Sequence, residues 1–166
     1  IYAENEDIGA FSPTNAEHEF YSFSATNAVV GDIVINEFLA SNDAIAIDQA
    51  GEYDDWIELY NKGEETIDLS GYHLSDDETD LGIFTFPEGV EMDPNTYLIV
   101  WADKDLDQQG LHADFKLSAS GESIFLTNSG FVILDAITFN EQTTDISFGR
   151  SPNGTGTFQS MLPTIA

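Results

Sequence analysis

From residue 33 onward, the chain is built of short runs of β-branched, aromatic and leucine residues, each closed by turn-forming residues. The runs lie at 33–39, 55–60, 66–69, 72–74, 83–86, 97–102, 123–127, 131–139 and 146–148. The segments between them are rich in Asn, Asp, Ser, Gly and Pro, which adopt or fix the backbone angles of tight turns. Many short strands at this spacing, without a helical period, predict an all-β sandwich.

The charge balance of the chain narrows the range of its partners. Asp and Glu number 31 against 4 Lys and Arg, so the formal net charge is −27 at pH 7. Nucleic-acid backbones and anionic membrane surfaces attract clustered basic residues, so no binding to either is expected. No apolar run reaches the roughly 18 residues of a membrane-spanning helix, so no membrane insertion is expected. The carboxylates instead favour cations as partners. Lys116 and Arg150 are each expected to pair with a nearby carboxylate, Arg150 in a bidentate manner.

Residues 1–30 differ in composition from the rest and form the first of two predicted units. They are polar and contain no Lys or Arg. Tyr21, Phe23 and Ala25 alternate with polar residues, a period of two that predicts an extended strand. This strand is expected to dock on its own domain or to act as a donor strand for the sheet edge of a neighbouring molecule. Residues 31–166 form the second unit, the β-sandwich domain.

The segment after the sixth run carries carboxylates in a pattern typical of cation-binding loops. Asp103, Asp105 and Asp107 occupy alternate positions, and Asp114 is the twelfth residue counted from the first of them. Calcium loops use such alternation to direct several oxygen ligands at one ion. Gln108 stands where those loops need a glycine, and the flanks predict strands rather than helices. The pattern predicts a Ca²⁺ site that is not an EF-hand, with a solvated acidic loop as the alternative.

A second group of oxygen ligands lies between the first two runs. It comprises Asn42, Asp43, Asp48, Glu52, Asp54 and Asp55. Strict alternation places Glu37 on the apolar face of the first run, where a buried carboxylate needs a partner. We therefore predict a metal ion shared by Glu37, by this loop through Asp43, Asp48 and Asp54, and by Asp103. The alternative is that Glu37 accepts backbone hydrogen bonds at a strand end.

No motif for catalysis stands out. His18, His73 and His112 share no zinc-binding spacing, so packing or surface hydrogen bonds are the expected roles of the latter two. No Ser lies in a G-x-S-x-G motif, and no glycine-rich phosphate loop is present. Pairs of carboxylates occur at every separation by chance when acidic residues are this numerous. The sequence therefore predicts a protein that is not an enzyme.

Aromatic residues share strand faces in two places, namely Trp56 with Tyr60 and Tyr97 with Trp101. An exposed aromatic face stacks against sugar rings, so these residues allow a carbohydrate-binding module as one alternative function. Trp and Tyr are equally common in the core and at the rim of β-sandwiches. Packing is therefore the competing interpretation of all four residues.

Seven motifs in a fixed order resemble the lamin tail domain, in the form found as a module of large secreted bacterial proteins. The resemblance covers about residues 32–154. The motifs are INEFLASN (35–42), DWIELYN (55–61), DLSGYHLSD (68–76), FPEG (86–89), YLIVWAD (97–103), LHADFKLSASGE (111–122) and TDISFGR (144–150). The resemblance implies an immunoglobulin-like β-sandwich.

The same resemblance implies a function without catalysis. In nuclear lamins this domain is an interaction module, and in bacteria it resembles an accessory or surface module. We expect an extracellular or cell-surface structural or adhesive module, stabilised by Ca²⁺, whose partners are other copies of itself, other surface proteins or polysaccharide. The main alternative is a subunit of an extracellular filament or surface layer that assembles through the strand at 21–25. Chromatin binding is not carried over, because the net charge opposes it.

Overall fold

The computed structural model describes residues 31–165, and within this range the chain forms strands and turns but no helix. Each predicted run overlaps one strand, so the all-β prediction is confirmed for the described residues. The predicted docking strand at residues 21–25 lies outside them. The strands are β1 (Ile33–Leu39), β2 (Trp56–Asn61), β3 (Ile67–Asp68), β4 (His73–Ser75), β5 (Phe84–Thr85), β6 (Glu91–Met92), β7 (Tyr97–Ala102), β8 (His112–Ala113), β9 (Gly121–Thr127), β10 (Ile133–Asn140), β11 (Ser147–Ser151) and β12 (Thr157–Met161).

Two larger sheets face each other. One has six strands in the order β12-β11-β1-β2-β7-β8, and the other has four in the order β10-β9-β4-β5. Strands β3 and β6 form a separate pair. All pairings are antiparallel except that of β7 with β8. This arrangement is a β-sandwich, as the sequence predicted.

One apolar core fills the space between the two larger sheets. Ile57 and Val100 enter it from the six-stranded sheet, and Leu74 and Leu126 enter it from the four-stranded sheet. The rings of Phe38 in β1 and Phe139 in β10 meet across the gap with centroids 4.4 Å apart. Burial of such side chains contributes about 1.5–3 kcal/mol each and supplies the main driving force for folding.

Three strands escape prediction from the sequence, namely β6, β8 and β12. The first two have only two residues each, too few to show a period. Strand β12 is an edge strand in which only Phe158 and Met161 are half-buried and the others are exposed. Exposed edge strands carry little apolar signal, because one face and one edge meet water.

A β-bulge between Ile35 and Glu37 changes the face that the end of β1 presents. Ile35 and Phe38 both reach the main core, whereas Leu39 joins a smaller cluster. The prediction that Glu37 shares a face with the isoleucines of β1 is therefore wrong. Glu37 is buried all the same, and it accepts hydrogen bonds from the backbone N–H and the hydroxyl of Thr164.

Arg150 joins the two sheets. From β11 its Nη2 donates to both carboxylate oxygens of Asp135 in β10, at 3.0 and 2.9 Å. Its Nε donates to the carbonyl of Ile35, its Nη1 donates to the carbonyl of Gly156, and the guanidinium lies 4.5 Å from the centre of the Phe158 ring. The expected pairing of Arg150 with a carboxylate is confirmed, although one nitrogen makes both contacts.

Candidate cation site

A small apolar cluster on the outer face of the six-stranded sheet anchors the loop that follows β1. Trp56 of β2 and Trp101 of β7 are cross-strand partners, and both are buried. Leu39 and Ala46 pack with them, so the loop of residues 40–55 folds back over the sheet. Burial of the two large indoles stabilises this arrangement. The acidic residues of the loop are thereby held against the sheet.

The same cluster contains two of the aromatic residues that could have formed a sugar-binding surface. Because both tryptophans are buried, they form no exposed platform for sugar rings. Tyr60 and Tyr97 are half-buried and pack on each other, with ring centroids 4.7 Å apart. The two tryptophans therefore pack in the structure, as the competing interpretation has it, and the two half-buried tyrosines pack on each other.

Asn42 fixes the course of this loop from inside. Its Nδ2 donates to the carbonyls of Ala46 and Asp54, at 2.7 and 2.8 Å. Its Oδ1 accepts hydrogen bonds from the N–H groups of Ile45 and Ala46. The side chain is buried, so these bonds are made without competition from water. Both ends of the loop are thus tied to one residue.

Asp48 is the most enclosed carboxylate of the loop, with 6% of its surface exposed. Its Oδ1 accepts hydrogen bonds from the N–H groups of Ala50 and Glu52, at 2.9 and 2.8 Å. Its Oδ2 is buried and accepts no hydrogen bond from any described residue. An uncompensated buried oxygen is costly, so this atom calls for a positively charged or hydrogen-bonding partner.

The segment after β7 lies against this loop. Gln108 Nε2 donates to Glu52 Oε2 at 2.7 Å. Gly110, at a φ of 125°, lets this segment approach the side chain of Gln49 in the first loop, because a Cβ there would lie 2.8 Å from Gln49 Oε1. The two acidic segments, which the sequence analysis linked through Asp103 alone, are therefore neighbours in the fold.

Asp103 and His112 form a buried ion pair beneath the loops. Asp103 Oδ1 accepts the N–H of Asp105 at 2.9 Å, and Oδ2 lies 2.7 Å from His112 Nδ1. His112 Nε2 faces the carbonyl of Gln109 at 3.2 Å. Both ring nitrogens therefore face acceptors, an arrangement that only the imidazolium satisfies fully. The protonated ring keeps no lone pair for a metal, although a ring nitrogen of His112 lies within 4.8 Å of carboxylate oxygens of Asp48 and Asp103.

The protonation of His112 follows from these contacts. Burial lowers the pKa of His112, but the hydrogen bonds to Asp103 and to the carbonyl of Gln109, together with the charge of Asp48, outweigh it, so the pKa lies above its usual value. The imidazolium offsets one negative charge at the base of the site.

Four of the predicted ligands come together between the loops. Carboxylate oxygens of Asp54, Asp103 and Asp105 lie within 4.8 Å of one another, and those of Asp48, Glu52 and Asp54 form a second such group. Asp54 Oδ2 and Gln108 Oε1 are buried and, like Asp48 Oδ2, accept no hydrogen bond from the described residues. We call Asp48, Asp54, Asp103, Asp105 and Gln108 the loop cluster.

The carboxylates of the loop cluster lie close together and repel one another. Burial raises the pKa of Asp54, and the carboxylates of Asp103, Asp48 and Glu52 raise it further. The positive charge of Lys116 opposes this rise. A divalent cation placed among these oxygens would reverse the repulsion, and the donors present, carboxylates and an amide carbonyl, are the ligands that Ca²⁺ uses.

The other predicted ligands do not join these groups. Asp43, Asp107 and Asp114 are exposed, and Glu37 is bound to Thr164, which matches the alternative given for it. The twelve-residue loop therefore does not close on one point, and no described contact links Glu37 to Asp103. In the sequence, Gln108 is only a departure from the pattern of calcium loops. It lies beside the first loop because its amide nitrogen donates a hydrogen bond to Glu52.

Stability at low ionic strength is expected to rise as the pH falls when no divalent cation is bound. Burial and the carboxylates of Asp54 and Glu122 raise the pKa of Asp55 to about 7, against the opposing effects of the Asn42 N–H and of Lys116. The folded protein then holds a proton that the unfolded chain loses near its ordinary value of 3.8. Stability therefore falls as the pH rises from about 4 to about 7.

Thermal unfolding in chelator, at about pH 5 and about pH 7.5, checks this expectation. The melting temperature should be higher at the lower pH, and Asp55→Asn should reduce the difference. Glu88→Gln, which removes an exposed charge, should leave the difference unchanged. A melting temperature that rises with pH in the wild type would contradict this account of Asp55.

Comparison with known protein families places the fold. A family model for the lamin tail domain matches residues 26–141, which include strands β1 to β10 and both acidic loops. No curated protein matches the chain. Among the described residues, no helix is both long and apolar enough to span a membrane. The domains of the matched family have an immunoglobulin-like fold, which agrees with the observed β-sandwich, and they are non-catalytic. The chain therefore belongs to the lamin tail domain family.

Proposed function

We propose that this protein is a non-catalytic, extracellular structural or adhesive module whose two acidic loops are held together by a bound Ca²⁺ ion. The observation that carries the proposal is the set of buried, unpartnered oxygens of Asp48, Asp54 and Gln108. They belong to two loops far apart in the sequence. Carboxylate oxygens of Asp48, Glu52 and Asp54 lie within 4.8 Å of one another, and Gln108 reaches this group through the bond from its Nε2 to Glu52. A cation between them would compensate all three and join the loops.

The donor set favours Ca²⁺ over other common metal ions. Apart from the ring nitrogens of His112, which face Asp103 and the carbonyl of Gln109, the donors are oxygens, which disfavours Zn²⁺ and other metals that prefer nitrogen or sulfur. The donors lie on irregular loops, and Ca²⁺ tolerates such variable geometry, whereas Mg²⁺ demands a near-ideal octahedron. The neutral amide of Gln108 and the imidazolium of His112 limit the negative charge, which favours the moderate affinity of extracellular calcium modules.

The extracellular location and the choice of partner are supported by charge. A net charge of −27 is tolerated where divalent cations and salt screen the surface. Partners are then other copies of the protein or other surface proteins, held through faces outside the loop cluster. The filament alternative depends on Tyr21, Phe23 and Ala25, which lie outside the described residues, so the cation-stabilised module is the proposal made here.

Calorimetric titration of Ca²⁺ into chelator-treated protein tests the proposal. One site is expected, with a dissociation constant of about 10⁻³ M or below. Asp48→Asn should abolish the binding heat, because the asparagine keeps both hydrogen bonds to Oδ1 but loses the charge at Oδ2. Asp114→Asn removes the same charge from an exposed position and should bind Ca²⁺ as the wild type does. Binding that survives Asp48→Asn but not Asp114→Asn would contradict the proposal.

A further inference from the structure

An open pocket adjoins the loop cluster. It has a volume of about 520 Å³ and is lined by the segment 104–108. Two of its lining residues, Asp105 and Gln108, also belong to the loop cluster. A ligand in the pocket would therefore lie beside a cation held by the cluster. The volume falls within the range of small-molecule sites.

A Ca²⁺ ion at the loop cluster would have coordination positions left for a ligand in the pocket. Asp48, with 6% of its surface exposed, and Asp103, with 1%, supply the buried side of the site. Asp105 is exposed and stands at the pocket. Both oxygens of Asp103 already accept hydrogen bonds, from the Asp105 N–H and from His112. Ca²⁺ takes about 6–8 oxygen ligands, more than the five side chains of the loop cluster supply when each gives one oxygen, so oxygens of a ligand in the adjoining pocket can complete the coordination.

Charge and surface chemistry restrict what that ligand is. Asp105 and Asp107 outnumber Lys104 in the lining of the pocket and the whole chain is strongly acidic, so the local charge disfavours an anionic ligand. Leu106, which is 57% exposed, presents an apolar surface at the same rim. A ligand with neutral oxygen donors on one side and C–H groups on the other satisfies both demands. Sugar rings have this chemistry.

We propose that the pocket binds a neutral saccharide, with two adjacent hydroxyls completing the coordination of the Ca²⁺ ion and the C–H face of the ring packing on Leu106. This inference rests on the proposed Ca²⁺ site and names its ligand class. It differs from the sugar-stacking platform considered for Trp56 and Trp101, because those residues are buried. The saccharide here is held by the ion and by Leu106 instead of by aromatic rings.

An array of neutral and uronic-acid glycans, probed with the whole protein in Ca²⁺ and again in chelator, tests the proposal. Neutral glycans should bind in Ca²⁺ only. Leu106→Ser should weaken this binding by about tenfold, because it removes the apolar contact, while leaving the Ca²⁺ titration unchanged. Leu162→Ser, at an exposed leucine that follows β12 on the opposite edge of the sheet, should affect neither. Asp48→Asn should abolish both.

The possible outcomes separate this inference from the proposed function. If calorimetry shows Ca²⁺ binding but the loaded protein binds no glycan, the saccharide proposal is overturned and the Ca²⁺ site stands. Glycan binding that persists in chelator, or that is confined to uronic acids, overturns the coordination argument. Failure to bind Ca²⁺ overturns both. A circular dichroism spectrum equal to that of the wild type confirms that each variant is folded.

Discussion

Replacing Arg150 with methionine is expected to destabilise the domain by about 3 kcal/mol. The ion pair of Arg150 with Asp135 crosses between the two sheets. The side chain of Asp135 has only 14% of its surface exposed. Asp135 also accepts the N–H of Ile35 at 2.9 Å, so it cannot turn out to solvent without losing that bond. The variant leaves this carboxylate without its cation and the carbonyls of Ile35 and Gly156 without their side-chain donors.

Urea denaturation in the presence of Ca²⁺ measures this effect as a lower midpoint with an unchanged slope. Lys116→Met removes the same charge from an exposed residue that forms no ion pair among the described residues. It should cost less than about 1 kcal/mol. Adding Asp135→Leu to the Arg150 variant should recover part of the loss, because no buried charge then stays unpaired. Equal costs for Arg150→Met and Lys116→Met would show that the link between the sheets is unimportant.

Calcium at a hundredfold excess over its dissociation constant is expected to stabilise the wild type by about 2.7 kcal/mol. For a domain of this size the melting temperature then rises by several degrees. The gain arises because only the folded chain brings Asp48, Asp54 and Asp103 together. In the Asp48→Asn variant the gain should vanish. In chelator, however, this variant should be at least as stable as the wild type, because it carries one fewer crowded charge.

Differential scanning calorimetry in chelator, in Ca²⁺ and in Mg²⁺ at matched ionic strength distinguishes a site from general screening. A rise that is selective for Ca²⁺, present in Asp114→Asn and absent in Asp48→Asn, is the expected pattern. Equal small rises with both ions in all three proteins would mean that the ions only screen the net charge. The loop cluster would then not be a binding site.

The sequence predicted the strands well because alternation and turn residues act locally. In β2, Ile57 and Leu59 face the core while Trp56 faces the outer cluster, as a period of two requires. The bulge before Glu37 was not predictable, because one extra residue leaves no compositional mark yet moves the following side chains to the other face. The two-residue strands were missed because they are defined by their partners and carry no pattern of their own.

The candidate site was predicted in part. One ion shared by Asp103 and by the loop through Asp48 and Asp54 was expected, but the packing that brings these residues together was not. The alternation of Asp103 and Asp105 and the acidic loop around Asp48 are local features and were recognised. These two segments come together because Trp56 and Trp101 pack against Leu39 and Ala46 and so hold the first loop over the sheet. Such long-range packing does not show in the spacing of residues along the chain. Asp107 and Asp114 are exposed and lie outside the site, although their spacing resembles that of a calcium loop.

Anomalous diffraction from crystals grown with Ca²⁺ is the most direct test of the cation site. The account predicts one strong peak bounded by Asp48, Asp54 and Asp103, with Gln108 Oε1 and Asp105 at coordinating distances of about 2.3–2.6 Å. A peak between Asp107 and Asp114, a peak beside Glu37, or no peak between the two loops would contradict it.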